Sequence, residues 1–214
     1  MKPIVCYVTD REALGADDPA GNLITRIRAA VAAGVDWVQI RERDMPAREL
    51  LALAKGAIDA CDAKARIIIN DRLDVALAAG AAGVHLGGAS VPAREVASWC
   101  REGNAPVEFL IGVSCHSLEE VREADAAGAS YVFFGPVFET PSKKTFGSPQ
   151  GVETLAELCG AVRIPVIAIG GVSEENAAEC VRAGAAGIAA IRMFQEWREP
   201  ETLKRAIARL HDGG

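Results

Sequence analysis

Short apolar runs alternate with longer segments whose apolar residues recur at helical spacing, and this pattern continues along the whole chain. Short runs bounded by polar residues or glycine are typical of buried strands, so the pattern predicts eight of them. The predicted strands are Ile4–Thr9, Trp37–Arg41, Arg66–Asn70, Gly83–Gly87, Phe109–Ser114, a run from Ser130 that Gly135 and Pro136 stop, Pro165–Ile169 and Gly187–Ile191.

The segments between these strands predict helices. Four begin at or near prolines, a residue that the first turn of a helix accepts, and Ser117 with Glu120 has the spacing of a capping box. A polar loop over residues 11–18 precedes the first of them. The predicted helices run from Pro19 to Ala33, from Pro46 past Ile58, from Leu73 to Ala79, from Pro92 to Arg101, from Ser117, from Val152 to Cys159, from a Ser173 cap through Ala183, and around Pro200 to Leu210.

An internal repeat supports this alternation. An Ala-Gly pair precedes each even-numbered strand, and its glycines, Gly34, Gly80, Gly128 and Gly184, are 46, 48 and 56 residues apart. Steady self-similarity indicates repeated supersecondary units, and alternating strands and helices indicate a parallel sheet. Eight units without a GxGxxG after the first strand favour an α/β fold of one closed (β/α)8 TIM barrel over residues 1–214. An open doubly wound sheet is the alternative.

Polar and small residues follow the predicted strands. The carboxyl ends of barrel strands form the active-site face, so we expect these residues to share one mouth. Gly170 and Gly171 suit a phosphate site because glycine lets the backbone approach an anion, although a tight turn would also explain them. The candidates are Asp10, Gln39, Arg41, Arg43, Asn70, Asp71, Gly88 to Ser90, Ser114, His116, Gly170, Gly171 and Arg192.

The loop after the sixth strand is long, polar and basic. It runs from Pro136 to about Gly151 and carries Thr140, Ser142, Lys143 and Lys144. Loops of this length are uncommon in compact domains and often functional, so the loop indicates a phosphate-binding lid. The alternative is an ordinary surface loop with solvated lysines.

Composition narrows the function classes. The net charge of −6 argues against a general affinity for nucleic acid. No signal peptide or membrane-length apolar segment occurs, so we expect no membrane partner. The six cysteines form no CxxC pair and predict reduced thiols in a cytoplasmic protein. The sequence leaves a homodimer open, because it does not assign the outer helix faces.

Several motifs together resemble the thiamine phosphate synthase family. They lie in order over nearly the whole chain: Gln39 to Asp44, Asn70-Asp71, Gly83 to Gly87, Ile111 to His116, Phe134 to Lys143, and Ala168 to Val172. The family contains the synthase, which joins a hydroxymethylpyrimidine diphosphate to a thiazole phosphate and releases pyrophosphate. It also contains a thiazole tautomerase, which aromatises thiazole carboxylate phosphate in the same pathway.

The resemblance implies roles for the candidate residues in handling these phosphorylated substrates. Asp71 would bind Mg²⁺, and the hydroxyls would hydrogen-bond substrate groups. Cations around the leaving pyrophosphate would stabilise its growing negative charge. By this resemblance the diphosphate would bind Gln39, Arg41, Arg43, Asn70 and Lys143, the substrates would hydrogen-bond with Ser114, Thr140 and Ser142, and the thiazole phosphate would bind Gly170 and Gly171. Arg192, at the end of the eighth strand, could also bind the thiazole phosphate, or it could be a solvated charge on a helix.

Departures from the family pattern keep alternatives open. Ser90 stands where the synthase usually has a second metal-binding Asp, and Arg192 replaces a usual Ser. His116 would be the proton shuttle of the tautomerase, or a hydrogen-bonded residue at a helix start. The tautomerase and a non-catalytic binder of thiazole phosphate or thiamine phosphate are therefore alternatives, whereas the retained Asp71 favours the synthase. The arginines of the second strand end could instead pair with neighbouring Glu42 and Asp44.

Overall fold

The structure, a computed structural model, describes residues 2–14, 19–139, 148–197 and 199–212. Eight parallel strands close into a barrel in which each strand pairs with the next along the chain and the last pairs with the first. The (β/α)8 barrel is confirmed, and the open sheet is wrong. The strands are β1 Ile4–Val8, β2 Trp37–Ile40, β3 Arg66–Asn70, β4 Gly83–Leu86, β5 Leu110–Cys115, β6 Tyr131–Phe134, β7 Val166–Ile169 and β8 Gly187–Ala190.

Helices surround the barrel. Within the described residues, no helix combines the length and apolar character that crossing a membrane requires. A 3₁₀ turn at Arg11–Leu14 and a π turn at Cys100–Asn104 add to the α-helices. The α-helices are α1 Pro19–Ala33, α2 Ala47–Cys61, α3 Leu73–Ala79, α4 Ala93–Trp99, α5 Leu118–Ala127, α6 Gly151–Ala161, α7 Ala177–Arg182, α8 Arg192–Gln195 and α9 Pro200–His211.

The predicted elements recur with small differences. Each strand boundary agrees within one residue, and Ser117 caps α5 by accepting a hydrogen bond from the Glu120 backbone N–H. The predicted Ser173 cap is wrong because α7 begins only after Asn176. The Ser173 backbone N–H instead donates to the Asn176 side chain at 2.8 Å. The predicted polar loop at 11–18 contains the 3₁₀ turn, and its residues 15–18 lie outside the described residues.

The repeated glycines have a common backbone role. Gly34, Gly80, Gly128 and Gly184 have φ angles of 113°, 72°, 91° and 95°, which is the left-handed region. Each glycine follows a helix and leads the chain into an even-numbered strand. A glycine reaches this conformation without the steric cost that a Cβ would add, which accounts for the repeat.

Strand alternation divides the apolar residues between two cores. Outward-facing side chains such as Val38 and Val132 pack with the helices in the larger core. Inward-facing side chains such as Ile68 and Phe133 form a smaller cluster inside the barrel. Inward-facing apolar side chains therefore fill the interior of the barrel. Toward the carboxyl ends of the strands, polar residues also occupy inward-facing positions.

Candidate active site

A cavity of about 730 Å³ opens at the carboxyl ends of the strands. It brings together all the predicted site residues that the structure describes, so their expected convergence is confirmed. Thr140, Ser142 and Lys143 lie outside the described residues. The predicted residues that line the cavity are Gln39, Arg41, Arg43, Asn70, Asp71, Ser114, His116, Gly170, Gly171 and Arg192.

An amide pair crosses from β2 to β3 inside the cavity. The buried Gln39 side chain donates from Nε2 to Asn70 Oδ1 at 2.9 Å. The Gln39 Oε1 atom is buried and has no hydrogen-bond partner among the described residues. A buried polar atom without a partner is costly, so a substrate donor at Gln39 Oε1 would restore the missing hydrogen bond. The pair thus offers an acceptor from Gln39 and the N–H groups of the Asn70 amide.

Asp71 has an uncommon backbone conformation. Its φ of 66° lies in the left-handed region, where a non-glycine residue is rare and often marks a functional position. A hydrogen bond of 2.8 Å from its backbone N–H to the His85 carbonyl holds it at the β4 side. Asp71 lines the cavity, as does Ser90, whose Oγ accepts a hydrogen bond from the Gly87 N–H at 2.7 Å.

In the described part of the chain, Asp71 is not part of a large cluster of possible metal ligands. Among the described residues, no group of three or more His, Cys, Asp or Glu side chains could hold a metal ion by protein ligands alone. Mg²⁺ suits a site of this kind, because it commonly binds one or two carboxylates together with substrate phosphates and water. The donor chemistry of Asp71 therefore fits a magnesium ion shared with a diphosphate.

Tyr131, His85 and Ser114 form a hydrogen-bonded chain inside the barrel. His85 Nδ1 lies 3.1 Å from Tyr131 Oη, and its Nε2 lies 2.9 Å from Ser114 Oγ. Burial lowers the pKa of His85 to about 3, and the charge of Arg41 adds to this effect, so the ring is neutral. His85 is the only acceptor for the buried Tyr131 hydroxyl within the described residues, so the hydroxyl donates to Nδ1. The Nε2–H group then donates to Ser114, whose own proton remains for a substrate.

Because His85 is buried and neutral, we predict that mild acid destabilises the fold. A histidine in an unfolded chain has a pKa near 6.5, whereas His85 has a pKa of about 3 when folded. Between these values only the unfolded chain binds the proton. The contribution of this histidine to stability is therefore full above pH 6.5 and is lost at about 1.4 kcal/mol per pH unit as the pH falls.

Urea unfolding at pH 7 and pH 5.5 measures this loss. We expect the free energy of unfolding of the wild type to fall by more than that of His85→Gln over the same interval. An equal fall in both proteins would contradict the assignment of a neutral, buried His85.

The cationic part of the site comes from the loop after β2. Arg41 is half-buried and Arg43 is exposed, and both line the cavity. Burial lowers the pKa of Arg41, and the charge of Arg43 lowers it further. Neither guanidinium forms a salt bridge within the described residues, because Glu42 and Asp44 pair with Arg11. The alternative of an ion-pair cluster within the loop is therefore wrong.

His116 lies at the cavity edge, before α5. Its backbone N–H donates to Glu120 Oε2, and its Nδ1 lies 2.5 Å from the Gly135 carbonyl oxygen. A carbonyl oxygen only accepts, so His116 carries a proton on Nδ1. The structure is consistent with both alternatives for His116, because the residue is hydrogen-bonded at a helix start and also lines the cavity.

Close packing explains the glycine pair after β7. Gly170 and Gly171 have φ angles of 93° and 68°. A Cβ on Gly170 would lie 2.5 Å from Pro136 Cα, and one on Gly171 would lie 2.5 Å from the Glu139 carbonyl oxygen. The pair therefore allows the segment after β6 to lie against the end of β7. Both glycines also line the cavity, and the exposed Arg192 does so at the start of α8.

Two contributors to the site were missed or undervalued in the sequence. His85 is absent from the candidates predicted from the sequence, yet it lines the cavity, and its inward position on β4 follows from strand alternation. Arg11 was assigned to a polar loop, and no local pattern signals that its partners lie 31 and 33 residues away.

Fold and cavity define a (β/α)8-barrel enzyme with a polar, cation-bearing site at the carboxyl ends of its strands. The family model described as thiamine monophosphate synthase matches residues 5–194. The chain therefore belongs to the thiamine monophosphate synthase family.

Individual relatives agree with the family assignment. The thiamine-phosphate synthase of Roseiflexus sp. (strain RS-1) is 41% identical over 205 residues, which cover 95% of this chain and 83% of that protein. The thiamine-phosphate synthase of Roseiflexus castenholzii is 40% identical over 205 residues, which cover 95% and 86%. The solved thiamine phosphate pyrophosphorylase from Pyrococcus furiosus has a TM-score of 0.83 at 30% identity, covering 98% of this chain and 95% of that one. These relatives identify the chain as a transferase.

Proposed function

We propose that this chain couples hydroxymethylpyrimidine diphosphate to thiazole phosphate and releases pyrophosphate, as a thiamine-phosphate synthase. The observation that carries the proposal is the convergence of Arg41, Arg43, Asn70 and Asp71 on one cavity in a chain of this family. The same convergence supports small phosphorylated molecules as the substrates.

The diphosphate fits the β2 and β3 side of the cavity. Arg41 and Arg43 are not engaged in salt bridges among the described residues, and guanidinium groups bind phosphate oxygens in bidentate fashion. The Asn70 amide can donate to a further oxygen. Lys143 remains a proposed fourth donor on the strength of the resemblance alone. These cations stabilise the negative charge that grows on pyrophosphate as the bond to the pyrimidine methylene breaks.

Asp71 is the proposed Mg²⁺ ligand. Among the described residues Asp71 belongs to no group of three or more possible metal ligands, so its carboxylate matches a site that the substrate diphosphate completes, whereas Ser90 already accepts a hydrogen bond from Gly87. When bound, Mg²⁺ would neutralise charge on the leaving pyrophosphate. Asp71 would hold the diphosphate in register with Arg41 through that ion.

The pyrimidine ring fits Gln39 and Ser114. The Gln39 Oε1 atom would repel phosphate oxygens, so a donor such as the amino group of the pyrimidine is its better partner. We therefore propose that Gln39 binds the pyrimidine ring, whereas the resemblance implies that it binds the diphosphate. Ser114 presents a donor hydroxyl through the chain from Tyr131 and His85. The pyrimidine methyl cation left after bond cleavage would then be captured by the thiazole nitrogen.

The thiazole phosphate is assigned to the β7 and β8 side. Gly170 and Gly171 have left-handed backbone at the cavity wall, and Arg192 adds a cation to the lining of the same cavity. Thr140 and Ser142 are retained as proposed hydrogen-bond donors to the substrates on the resemblance alone.

Product analysis with both candidate substrates tests the activity. Thiamine phosphate formed from pyrimidine diphosphate and thiazole phosphate only with Mg²⁺ would support the synthase. Aromatisation of thiazole carboxylate phosphate without coupling would contradict it and favour the tautomerase with His116 as shuttle. Binding without any turnover would contradict both and favour a non-catalytic binder.

Two predictions accompany the activity. A cytoplasmic location is favoured by six free cysteines, and protease protection in fractionated cells would test it. Assembly as a homodimer is the second prediction, and light scattering of the purified protein would test it.

A further inference from the structure

Arg11 joins the segment after β1 to the loop after β2. Its Nη1 donates to Glu42 Oε2 at 3.0 Å and to Asp44 Oδ1 at 2.7 Å, and its Nη2 donates to Asp44 Oδ2. Its backbone N–H also donates to Glu42 Oε2 at 3.2 Å. One arginine thus binds the two carboxylates that alternate with Arg41 and Arg43 along the chain.

Thr9 completes this network. Its Oγ1 donates to Glu42 Oε1 at 2.5 Å and accepts a hydrogen bond from the Arg41 backbone N–H at 3.0 Å. The Glu42 side chain is only 2% exposed, so its charge needs these partners. The buried carboxylate therefore also fixes the backbone from which the Arg41 side chain enters the cavity.

The network has a consequence for the charge in the cavity. Asp44 is 57% exposed on its side chain and lies in a turn, so without Arg11 it has freedom to reach another cation. The nearest cations along the chain are Arg41 and Arg43. A carboxylate paired with either guanidinium would occupy the donors that a diphosphate needs.

We propose that Arg11 is a positioning residue that keeps Arg41 and Arg43 available for the diphosphate by binding Glu42 and Asp44. This inference rests on the proposed function, because it takes the diphosphate as the ligand of the two arginines. Arg11 does not line the cavity, so it acts through the loop after β2 and not by touching the substrate.

Calorimetry with inorganic pyrophosphate and Mg²⁺ tests the inference. We expect Arg11→Ala to weaken pyrophosphate binding by roughly tenfold or more, the scale of one charge-assisted hydrogen bond. Thiazole phosphate binding should stay unchanged. Two double variants combine Arg11→Ala with Asp44→Asn or with Glu42→Gln. Each replaces one competing carboxylate with a neutral amide, so at least one of the two should recover most of the affinity for pyrophosphate.

A matched control distinguishes the loss of the Arg11 contacts from the change in net charge. Arg11→Ala combined with Asp59→Asn, an exposed position on α2, restores the same net charge without neutralising a competitor and should not recover affinity. Equal affinity for pyrophosphate in Arg11→Ala and in the wild type would overturn the inference. So would a failure of both carboxylate double variants to recover the affinity. Equal recovery in the Asp59→Asn control would overturn it as well. A wild type that binds no pyrophosphate would instead overturn the proposed diphosphate site.

Discussion

Replacing Asp71 with asparagine is expected to lower the rate of thiamine phosphate formation by at least about a thousandfold, the scale of several kcal/mol that a catalytic metal contributes. Asparagine removes the charge but tolerates the left-handed φ of 66° at this position, which alanine would strain. The expected loss therefore reports on metal binding and not on backbone strain. Steady-state kinetics over a Mg²⁺ titration measures it.

Asp59→Asn is the control for this experiment, since it removes an exposed carboxylate on α2. It should retain the wild-type rate and magnesium dependence. Binding of pyrophosphate by Asp71→Asn should lose its dependence on Mg²⁺, whereas any tautomerisation of thiazole carboxylate phosphate should remain. Equal loss of coupling and tautomerisation would refute the separate role of Asp71.

Replacing Arg41 with alanine is expected to lower kcat/KM for the pyrimidine diphosphate by about a hundredfold to a thousandfold, which is typical of losing one donor to a developing anion. Arg41 is the better choice of the two arginines because it is half-buried, whereas Arg43 is exposed. Both kcat and the affinity for pyrophosphate should fall, since the guanidinium contacts the group that leaves. Single-turnover kinetics separates these effects.

Arg41→Lys tests the kind of contact. It retains the charge but not the bidentate geometry, so we expect a loss between those of alanine and wild type. Unchanged affinity for thiazole phosphate in both variants is expected, because that substrate is assigned to the β7 and β8 side. A hundredfold loss of thiazole phosphate binding in Arg41→Ala would contradict this division of the cavity.

The strands could be predicted closely because two independent signals mark them. Apolar runs define each strand, and the repeated glycines, such as Gly80 and Gly128, end the preceding helix at a fixed place. The short helix Arg192–Gln195 and the 3₁₀ turn Arg11–Leu14 had no such signals. Elements of about one turn are too short to show periodicity, and tertiary contacts decide them.

The site could be predicted as a set of residues but not as a set of contacts. Strand polarity alone places Gln39, Asn70 and Ser114 toward one mouth. The choice of Arg11 over Arg41 as the partner of Glu42 depends on how β1 and β2 lie side by side. The orientation of the Gln39 amide likewise depends on Asn70, a residue of the next strand.

A crystal structure of the protein with Mg²⁺ and pyrophosphate would test the central claim most directly, because that claim places both at the carboxyl ends of β2 and β3. We predict pyrophosphate within hydrogen-bond distance of Arg41 and Asn70, with the metal ion bridging it to Asp71. Pyrophosphate bound beside Gly170 and Gly171 alone, or a metal ion bound away from Asp71, would contradict the account.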